Sequence, residues 1–246
     1  MTWNPTNDLE SIEVLLLDIE GTTTPIDFVY QTLFPYARAR MNDYLLQSFE
    51  PSDRAALLDE YATETMASKP DWAEPPTEYL LWLMDQDRKS RGLKSVQGKI
   101  WEKGYRDGSL RGELFPDVAP ALRRWQSSGK RVFIYSSGSV HAQKLLFEFS
   151  VEGNLLNLID GHFDTAVGPK REPTSYVRIA REMGVEPERA LFVSDTGEEC
   201  EAAQRAGFQV LLSVRPGNSP QARNYPVITS FENLISHVRV GTERQL

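Results

Sequence analysis

The sequence predicts an α/β protein with a doubly wound parallel sheet and an inserted helical cap domain. Three short apolar runs, rich in Val, Ile, Leu and Phe and bounded by turn residues, have the character of buried parallel strands. These runs are 14–17, 131–135 and 190–194. From residue 118 onward, helical and strand patterns alternate, as they do in βαβ units with right-handed crossovers. The stretch between the first two strands is too long for one crossover helix, which indicates an insertion.

The insertion is placed at residues 26–114 and is predicted to be a helical cap. Apolar residues recur at helical spacing in four stretches: 28–49, 54–66, 78–86 and 95–105. Pro75-Pro76 marks the start of the third helix, since proline is tolerated in a first turn. The remaining residues, 1–25 and 115–246, are predicted to form the α/β catalytic core.

Within this core, the predicted helices are 118–127, 140–149, 174–183 and 198–205. Two more strands are predicted, over 161–164 and 208–214, and a closing helix over 230–238. Ligands of doubly wound sheets bind beyond the carboxyl ends of the strands. The residues that follow the first three apolar runs are therefore the candidates for chemistry.

Composition narrows the class of protein. The chain has 246 residues and a formal net charge of -8, which argues against binding to nucleic acid or to an anionic membrane surface. Cys200 is the only cysteine, so no internal disulfide can form. The first twenty residues contain no apolar run long enough for a signal peptide or a membrane span. We expect a cytoplasmic protein, and a monomer, that acts on a small phosphorylated molecule.

The first motif is Asp18-Ile19-Glu20-Gly21-Thr22-Thr23-Thr24. A carboxylate at a strand end can attack phosphorus and form an aspartyl-phosphate. Glu20 could protonate the leaving oxygen and later activate water. Gly21 allows a sharp turn. The alternative is an acidic strand end followed by a polar turn.

The second motif is Ser136-Ser137-Gly138-Ser139, at the start of a predicted helix. Hydroxyls and backbone N–H groups at a helix N-terminus can bind an anion, but serine is also a preferred N-cap.

The third motif is Lys170, on a Gly-Pro turn. A phosphate and a nucleophilic carboxylate repel by roughly 4 kcal/mol at 4 Å with an effective dielectric constant of 20, so a cation is needed between them. Arg171 is the rival candidate, and a solvated surface lysine is the alternative.

The fourth motif is Ser194-Asp195-Thr196-Gly197-Glu198-Glu199. Magnesium prefers oxygen ligands and often takes one or two carboxylates together with water and substrate phosphate. Asp18 and Asp195, on neighbouring strand ends, would supply that pair. Glu198 and Glu199 are interpreted as first-turn acids that favour the helix dipole, with Glu198 also a candidate for the outer coordination sphere.

In this order the four motifs resemble the haloacid dehalogenase-like phosphatases, and within them the enolase-phosphatases of methionine salvage, or acireductone synthases. The similarity includes Val167-Gly168-Pro169-Lys170 around the third motif and extends to strings outside the four motifs: Gly98-Lys99-Ile100-Trp101-Glu102, Phe115-Pro116-Asp117-Val118 and Arg215-Pro216-Gly217-Asn218. The chain departs from that branch at Thr196-Gly197, where bulky apolar residues are common, and at Cys200-Glu201, where the branch usually has Leu-Asp.

The resemblance implies a bifunctional enzyme that uses Mg²⁺. Its expected substrate is 2,3-diketo-5-methylthiopentyl-1-phosphate, which would be enolised and then dephosphorylated to 1,2-dihydroxy-3-keto-5-methylthiopentene. The resemblance assigns metal binding to Asp18, Glu20 (through its backbone carbonyl) and Asp195. Catalysis would fall to Asp18 and Glu20, and substrate binding to Ser136, Ser137 and Lys170.

The sequence does not decide whether the enolisation base is Glu20 or a cap residue such as Lys99 or Glu102.

Two other classes of protein also fit some of the motifs. A receiver-type signalling domain combines similar groups, but an acid two residues after the nucleophile favours turnover over stored phosphate. A phosphometabolite sensor that has lost turnover would not need both Asp18 and Asp195. The chain contains no GxxxxGK[ST] or GxGxxG string, which weakens nucleotide-dependent alternatives.

Overall fold

The structure is a computed structural model and describes residues 10–88, 90–218 and 225–234. Its sheet has six strands in the order β3-β2-β1-β4-β5-β6, and every neighbouring pair is parallel. The strands are β1 (Val14–Leu17), β2 (Arg131–Tyr135), β3 (Gly161–Phe163), β4 (Ala190–Ser194), β5 (Gln209–Ser213) and β6 (Val227–Ile228). The predicted parallel α/β fold is confirmed.

The register of the central strand β1 with its neighbours determines where the functional motifs leave the sheet. All four of its residues are buried, as expected of a strand covered on both faces. Leu17 is in register with Ile134 of β2 and with Val193 of β4. The Asp18 N–H continues this pairing by donating to the Val193 carbonyl at 3.0 Å. The segments after β1, β2 and β4 therefore leave the sheet at one edge.

The α-helices of the described ranges are α1 (Phe34–Ser48), α2 (Pro51–Thr63), α3 (Thr77–Asp85), α4 (Arg91–Arg106), α5 (Val118–Ser127), α6 (Val140–Glu148), α7 (Pro173–Met183) and α8 (Gly197–Arg205). In the core, α8 contacts β4, β5 and α7, while α5 contacts β2 and α6 contacts β3. One continuous apolar cluster joins α7 and α8 to the sheet through residues such as Tyr176, Ile179, Phe192 and Cys200. No helix in these ranges combines the length and apolar character needed to cross a bilayer.

Backbone contacts divide the chain into two compact units. One consists of Met1–Ile26 together with Glu113–Leu246 and carries the sheet, and the other is Asp27–Gly112. In the second unit α4 packs against α1 and α2, and α1 packs against α3. Its interior is apolar, with Met41, Leu57, Leu80 and Val96 all fully or almost fully buried.

Several predicted boundaries shift for identifiable reasons. The helix predicted over 28–49 is a π-helix at Phe28–Leu33 followed by α1. The helix predicted from residue 95 begins at Arg91, because the Ser90 hydroxyl caps it by accepting the Leu93 N–H at 2.9 Å. The short strand β6 was not predicted. Of the closing helix predicted over 230–238, only a 3₁₀ turn at Phe231–Asn233 falls within the described residues.

Candidate active site

Asp18 lies immediately after β1 and is 2% exposed. Its Oδ1 accepts the Ile19 N–H at 2.7 Å and the Lys170 ammonium at 2.6 Å. Its Oδ2 lies 3.2 Å from the Ser194 hydroxyl, which is closer to Glu199 Oε2, at 2.9 Å, and has one proton to donate. The two bonds to Oδ1 fix the orientation of the carboxylate, which is what a nucleophile or metal ligand requires.

The turn after Asp18 is held tightly by its own backbone. The N–H groups of Thr22, Thr23 and Thr24 all donate to the Ile19 carbonyl, at 3.1, 3.0 and 2.9 Å. The Gly21 N–H donates to the Thr24 carbonyl at 2.8 Å. The predicted sharp turn is thus present, and its glycine has a φ of +67°, in the left-handed region.

The last residue of β5 and a residue of the segment after it hold the same turn from outside. The Gly21 carbonyl accepts the Ser213 hydroxyl at 3.1 Å and the Asn218 side-chain amide at 2.8 Å. Because the Gly21 N–H is bonded as well, both backbone groups of this residue are engaged. The turn that carries Glu20 is therefore anchored to the carboxyl end of β5. Ser213 was not singled out from the sequence, and Asn218 was noted only within the string Arg215-Pro216-Gly217-Asn218, with no role assigned to it.

Lys170 connects two of the acidic motifs. It is 6% exposed, and its ammonium lies 2.6 Å from an oxygen of Asp18 and 2.6 Å from an oxygen of Glu199. Burial by itself would lower the pKa of Lys170, but the carboxylates of Asp18, Glu199 and Glu20 outweigh it and raise the pKa. The lysine therefore stays positively charged. The rival candidate, Arg171, is exposed.

Glu199 has contacts that were not predicted from the sequence. It lies in the first turn of α8, as predicted, and it also accepts the Lys170 ammonium and, at 2.9 Å, the Ser194 hydroxyl. Burial is the main reason that its pKa is raised, with the charge of Asp18 adding to it against the effect of Lys170. Glu199 thus belongs to the charged cluster. Glu198 also lies in the first turn of α8 and is partly buried.

Asp195 follows β4, and burial, followed by the charge of Asp18, raises its pKa to about 6. Burial and Asp18 also raise the pKa of Glu20, against the effect of Lys170. These carboxylates repel one another around a single lysine, and a divalent cation would relieve that repulsion. In the described ranges no three histidine, cysteine or acidic side chains form a metal site alone. The donor set therefore fits an ion such as Mg²⁺, which completes its coordination with carbonyl, water and substrate oxygens.

The serine motif follows β2. Ser136 is 1% exposed; its N–H donates to the Phe163 carbonyl at 3.2 Å, and its hydroxyl accepts the Gly138 N–H at 3.1 Å. The N-cap of α6 is Ser139, whose hydroxyl accepts the Ala142 N–H at 3.3 Å. Capping is therefore the task of Ser139. Ser136 and Ser137 follow β2, which pairs in parallel with β1, and Ser137 is partly exposed.

Two residues of the unit Asp27–Gly112 were candidates for the enolisation base. The Lys99 ammonium is paired with Glu50 at 2.6 Å and with Asp53 at 2.8 Å. Burial would lower the pKa of Lys99, but bonding to Asp53 and Glu50 raises it, so this lysine is unsuited to accept a proton. Glu102 is paired with Arg106 at 2.7 Å. Neither geometry resembles that of a free base.

Known proteins resemble this chain over most of its length. A family model described as haloacid dehalogenase-like hydrolase matches residues 12–207. "Enolase-phosphatase E1" of Synechococcus elongatus is 52% identical over 233 residues, which cover 91% of this chain and 98% of that protein. "Enolase-phosphatase E1" of Danio rerio is 42% identical over 248 residues, covering 92% and 95% of the two chains. The solved structure of Unknown transcript 4 protein of Saccharomyces cerevisiae has a TM-score of 0.76 and 36% identity, covering 91% of this chain and all of that one.

Proposed function

The chain belongs to the haloacid dehalogenase-like hydrolases, and we propose that within this family it is the enolase-phosphatase of methionine salvage. Its substrate is 2,3-diketo-5-methylthiopentyl-1-phosphate, and its product is the acireductone 1,2-dihydroxy-3-keto-5-methylthiopentene. The observation that carries this proposal is the buried pair of Asp18 and Lys170 at the end of β1, 2.6 Å apart. It joins a nucleophile to the cation that a phosphate dianion requires.

In the phosphatase step, Asp18 attacks phosphorus, and the P–O bond to the enol oxygen breaks. Lys170, already bonded to Asp18 Oδ1, offsets the repulsion between the carboxylate and the incoming phosphate. Ser136 and Ser137 bind the phosphate from the end of β2. Water then attacks the aspartyl-phosphate, which releases inorganic phosphate and restores the Asp18 carboxylate.

Glu20 is the residue suited to move protons in this site. Its raised pKa allows its side chain to hold a proton near neutral pH, as a general acid must. It protonates the leaving enol oxygen and then removes a proton from the attacking water. Because Lys99 and Glu102 are both ion-paired, Glu20 is also our candidate for the enolisation base.

The metal of this family is a divalent cation, and we propose that here it is Mg²⁺. Asp18, Asp195 and the Glu20 carbonyl would hold it. When bound, it supplies positive charge to the phosphate oxygens and to the developing enolate. We further propose that the unit Asp27–Gly112 acts as the cap, and that the enzyme is a cytoplasmic monomer.

The direct test follows enol absorbance and phosphate release from the diketo-phosphate, with Mg²⁺ and with EDTA. We expect both signals with Mg²⁺ and neither with EDTA. Asp18→Asn should abolish phosphate release while circular dichroism shows an intact fold, because the amide cannot attack phosphorus. Glu182→Gln, which neutralises an exposed acid of α7, is the control and should retain activity. Substantial turnover by folded Asp18→Asn would exclude the covalent route.

A further inference from the structure

The loop that carries Lys170 is held by three side-chain hydroxyls. We call Gly168–Lys170 the Lys170 loop. Tyr135 donates to the Gly168 carbonyl at 2.8 Å, and Ser175 donates to the Pro169 carbonyl at 2.8 Å. Tyr176 donates to the carbonyl of Lys170 itself at 2.7 Å. Three consecutive backbone carbonyls are thus fixed by three different side chains.

The donors lie on rigid parts of the core. Tyr135 is the last residue of β2, and Ser175 and Tyr176 lie in the first turn of α7. All three are at most 1% exposed. The rings of Tyr135 and Tyr176 meet edge to face with centroids 5.6 Å apart, and Tyr176 also packs against Phe192 of β4 at 5.1 Å. The hydroxyls therefore have little freedom to move.

The loop also packs against α7 without spare room. Gly168 has a φ of +145°, which side chains rarely adopt, and a Cβ placed there would lie 2.2 Å from the Ser175 hydroxyl oxygen. The loop backbone thus lies directly against Ser175. A small shift of α7 or of its hydroxyls would be transmitted to the loop.

We infer that Tyr135, Ser175 and Tyr176 are positioning residues for Lys170, acting through the three carbonyls of its loop. This inference rests on the proposed function, because it takes Lys170 to bind the phosphate beside Asp18. The ordinary reading is that the hydroxyls satisfy buried carbonyls and do no more. The location of these carbonyls argues for more than that. The last of the three belongs to Lys170, whose ammonium lies 2.6 Å from Asp18 and 2.6 Å from Glu199. An error of about 1 Å in such a group can cost on the order of a hundredfold in rate.

The test removes each hydroxyl separately, with Tyr135→Phe, Ser175→Ala and Tyr176→Phe. For each variant we expect kcat with the diketo-phosphate to fall about five- to twentyfold, because Lys170 is less well placed in the transition state. The Mg²⁺ concentration for half-maximal rate should change less than about twofold, since the Lys170 loop supplies none of the proposed metal ligands. A general collapse of the site would alter both quantities.

Ser150→Ala is the matched control. Ser150 is also 1% exposed and donates to a loop carbonyl, that of Gly153 at 2.6 Å. Its removal should lower the melting temperature about as much as Ser175→Ala does, yet leave kcat unchanged. If all three test variants keep kcat within about twofold of the unaltered protein, the inference is overturned.

Crystal structures of the variants test the same inference without an activity measurement. We expect the distance between Lys170 Nζ and Asp18 Oδ1 to lengthen by about 0.5 Å or more in at least two of them. An unchanged distance in all three would also overturn the inference. Failure of the proposed function would appear elsewhere, as an absence of phosphate release by the unaltered protein. Where one variant does not fold, the other two still give both measurements.

Discussion

Gly21 shows at the scale of one residue why the site tolerates so little change. A Cβ at this position would lie 2.4 Å from Asp195 Oδ2 and 2.8 Å from Asn218 Oδ1. Its φ of +67° is also a conformation that favours glycine. The glycine therefore serves two purposes, because it allows the turn after Asp18 and lets the Asp195 carboxylate approach the backbone.

Gly21→Ala should displace Asp195 and weaken the binding of Mg²⁺ by about tenfold or more. It should also lower the free energy of unfolding by roughly 1 to 3 kcal/mol, from the strained φ together with the steric clash. Calorimetric titration of Mg²⁺ and urea denaturation measure the two effects. Gly184→Ala is the matched control, since Gly184 has a φ of +62° and open space around its missing Cβ. An equal change in Mg²⁺ affinity in both variants would show that the clash with Asp195 does not matter.

At the scale of elements, the strands and their ends were predictable from sequence, whereas Glu199 was not. Buried parallel strands are continuous apolar runs, so 14–17, 131–135 and 190–194 were located to the residue. Thr196 and Glu199 have the spacing of a capping box, which would direct Glu199 to the backbone of its own helix. In the structure Glu199 instead meets Lys170, which lies distant in sequence. Local patterns do not record such a tertiary ion pair.

The sequence also could not reveal the support of the Lys170 loop or the start of α4. Tyr135 and Tyr176 look like ordinary core aromatics, and only the fold brings their hydroxyls to consecutive carbonyls. Ser90 caps α4 ahead of the first strongly apolar positions, so periodicity placed that helix four residues late. Local apolar patterns thus determine elements well, but hydrogen bonds between elements need the folded chain.

His162, at the contact between β3 and α6, should make the stability of the fold depend on pH. His162 of β3 has Nδ1 3.2 Å from Gln143 Oε1 of α6, and burial, followed by the charge of Lys144, lowers its pKa to about 4. Between an unfolded pKa of roughly 6.5 and that value, the unfolded chain binds more protons than the folded one, so stability falls as pH drops through this window. We expect His162 to account for a loss of roughly 1 to 3 kcal/mol.

Urea denaturation between pH 4 and pH 7 tests this expectation. His162→Gln should show a smaller loss of stability on acidification than the unaltered protein, because glutamine cannot take up a proton. His141→Gln, which removes an exposed imidazole, is the control for the substitution itself. If the free energy of unfolding fell equally with pH in the unaltered protein and in His162→Gln, His162 would not be the source of the pH dependence.

At the scale of the whole molecule, one buried ion pair connects segments far apart in sequence. Arg215 is 5% exposed and donates to Asp117 at 2.8 Å and to the Thr229 carbonyl at 3.0 Å. The same Asp117 oxygen accepts the Ser230 hydroxyl at 3.1 Å and the Phe231 N–H. The guanidinium lies between the rings of Phe115 and Phe231, at 4.8 and 4.6 Å from their centroids. The start of α5 is thereby tied to the segments after β5 and β6.

Removing one partner of this pair should leave the other charge buried and unpaired, so the effects of the two substitutions on stability should not be additive. Asp117→Leu or Arg215→Met alone leaves an uncompensated buried charge, and each should lower the free energy of unfolding by about 3 to 5 kcal/mol. The double variant leaves no charge behind, so its loss should be smaller than the sum of the single losses by at least about 1 kcal/mol. Urea denaturation of all four proteins gives this coupling energy directly. Additive losses would mean that the two groups stabilise the fold independently, with Asp117 acting through the Phe231 N–H and Arg215 through its aromatic neighbours.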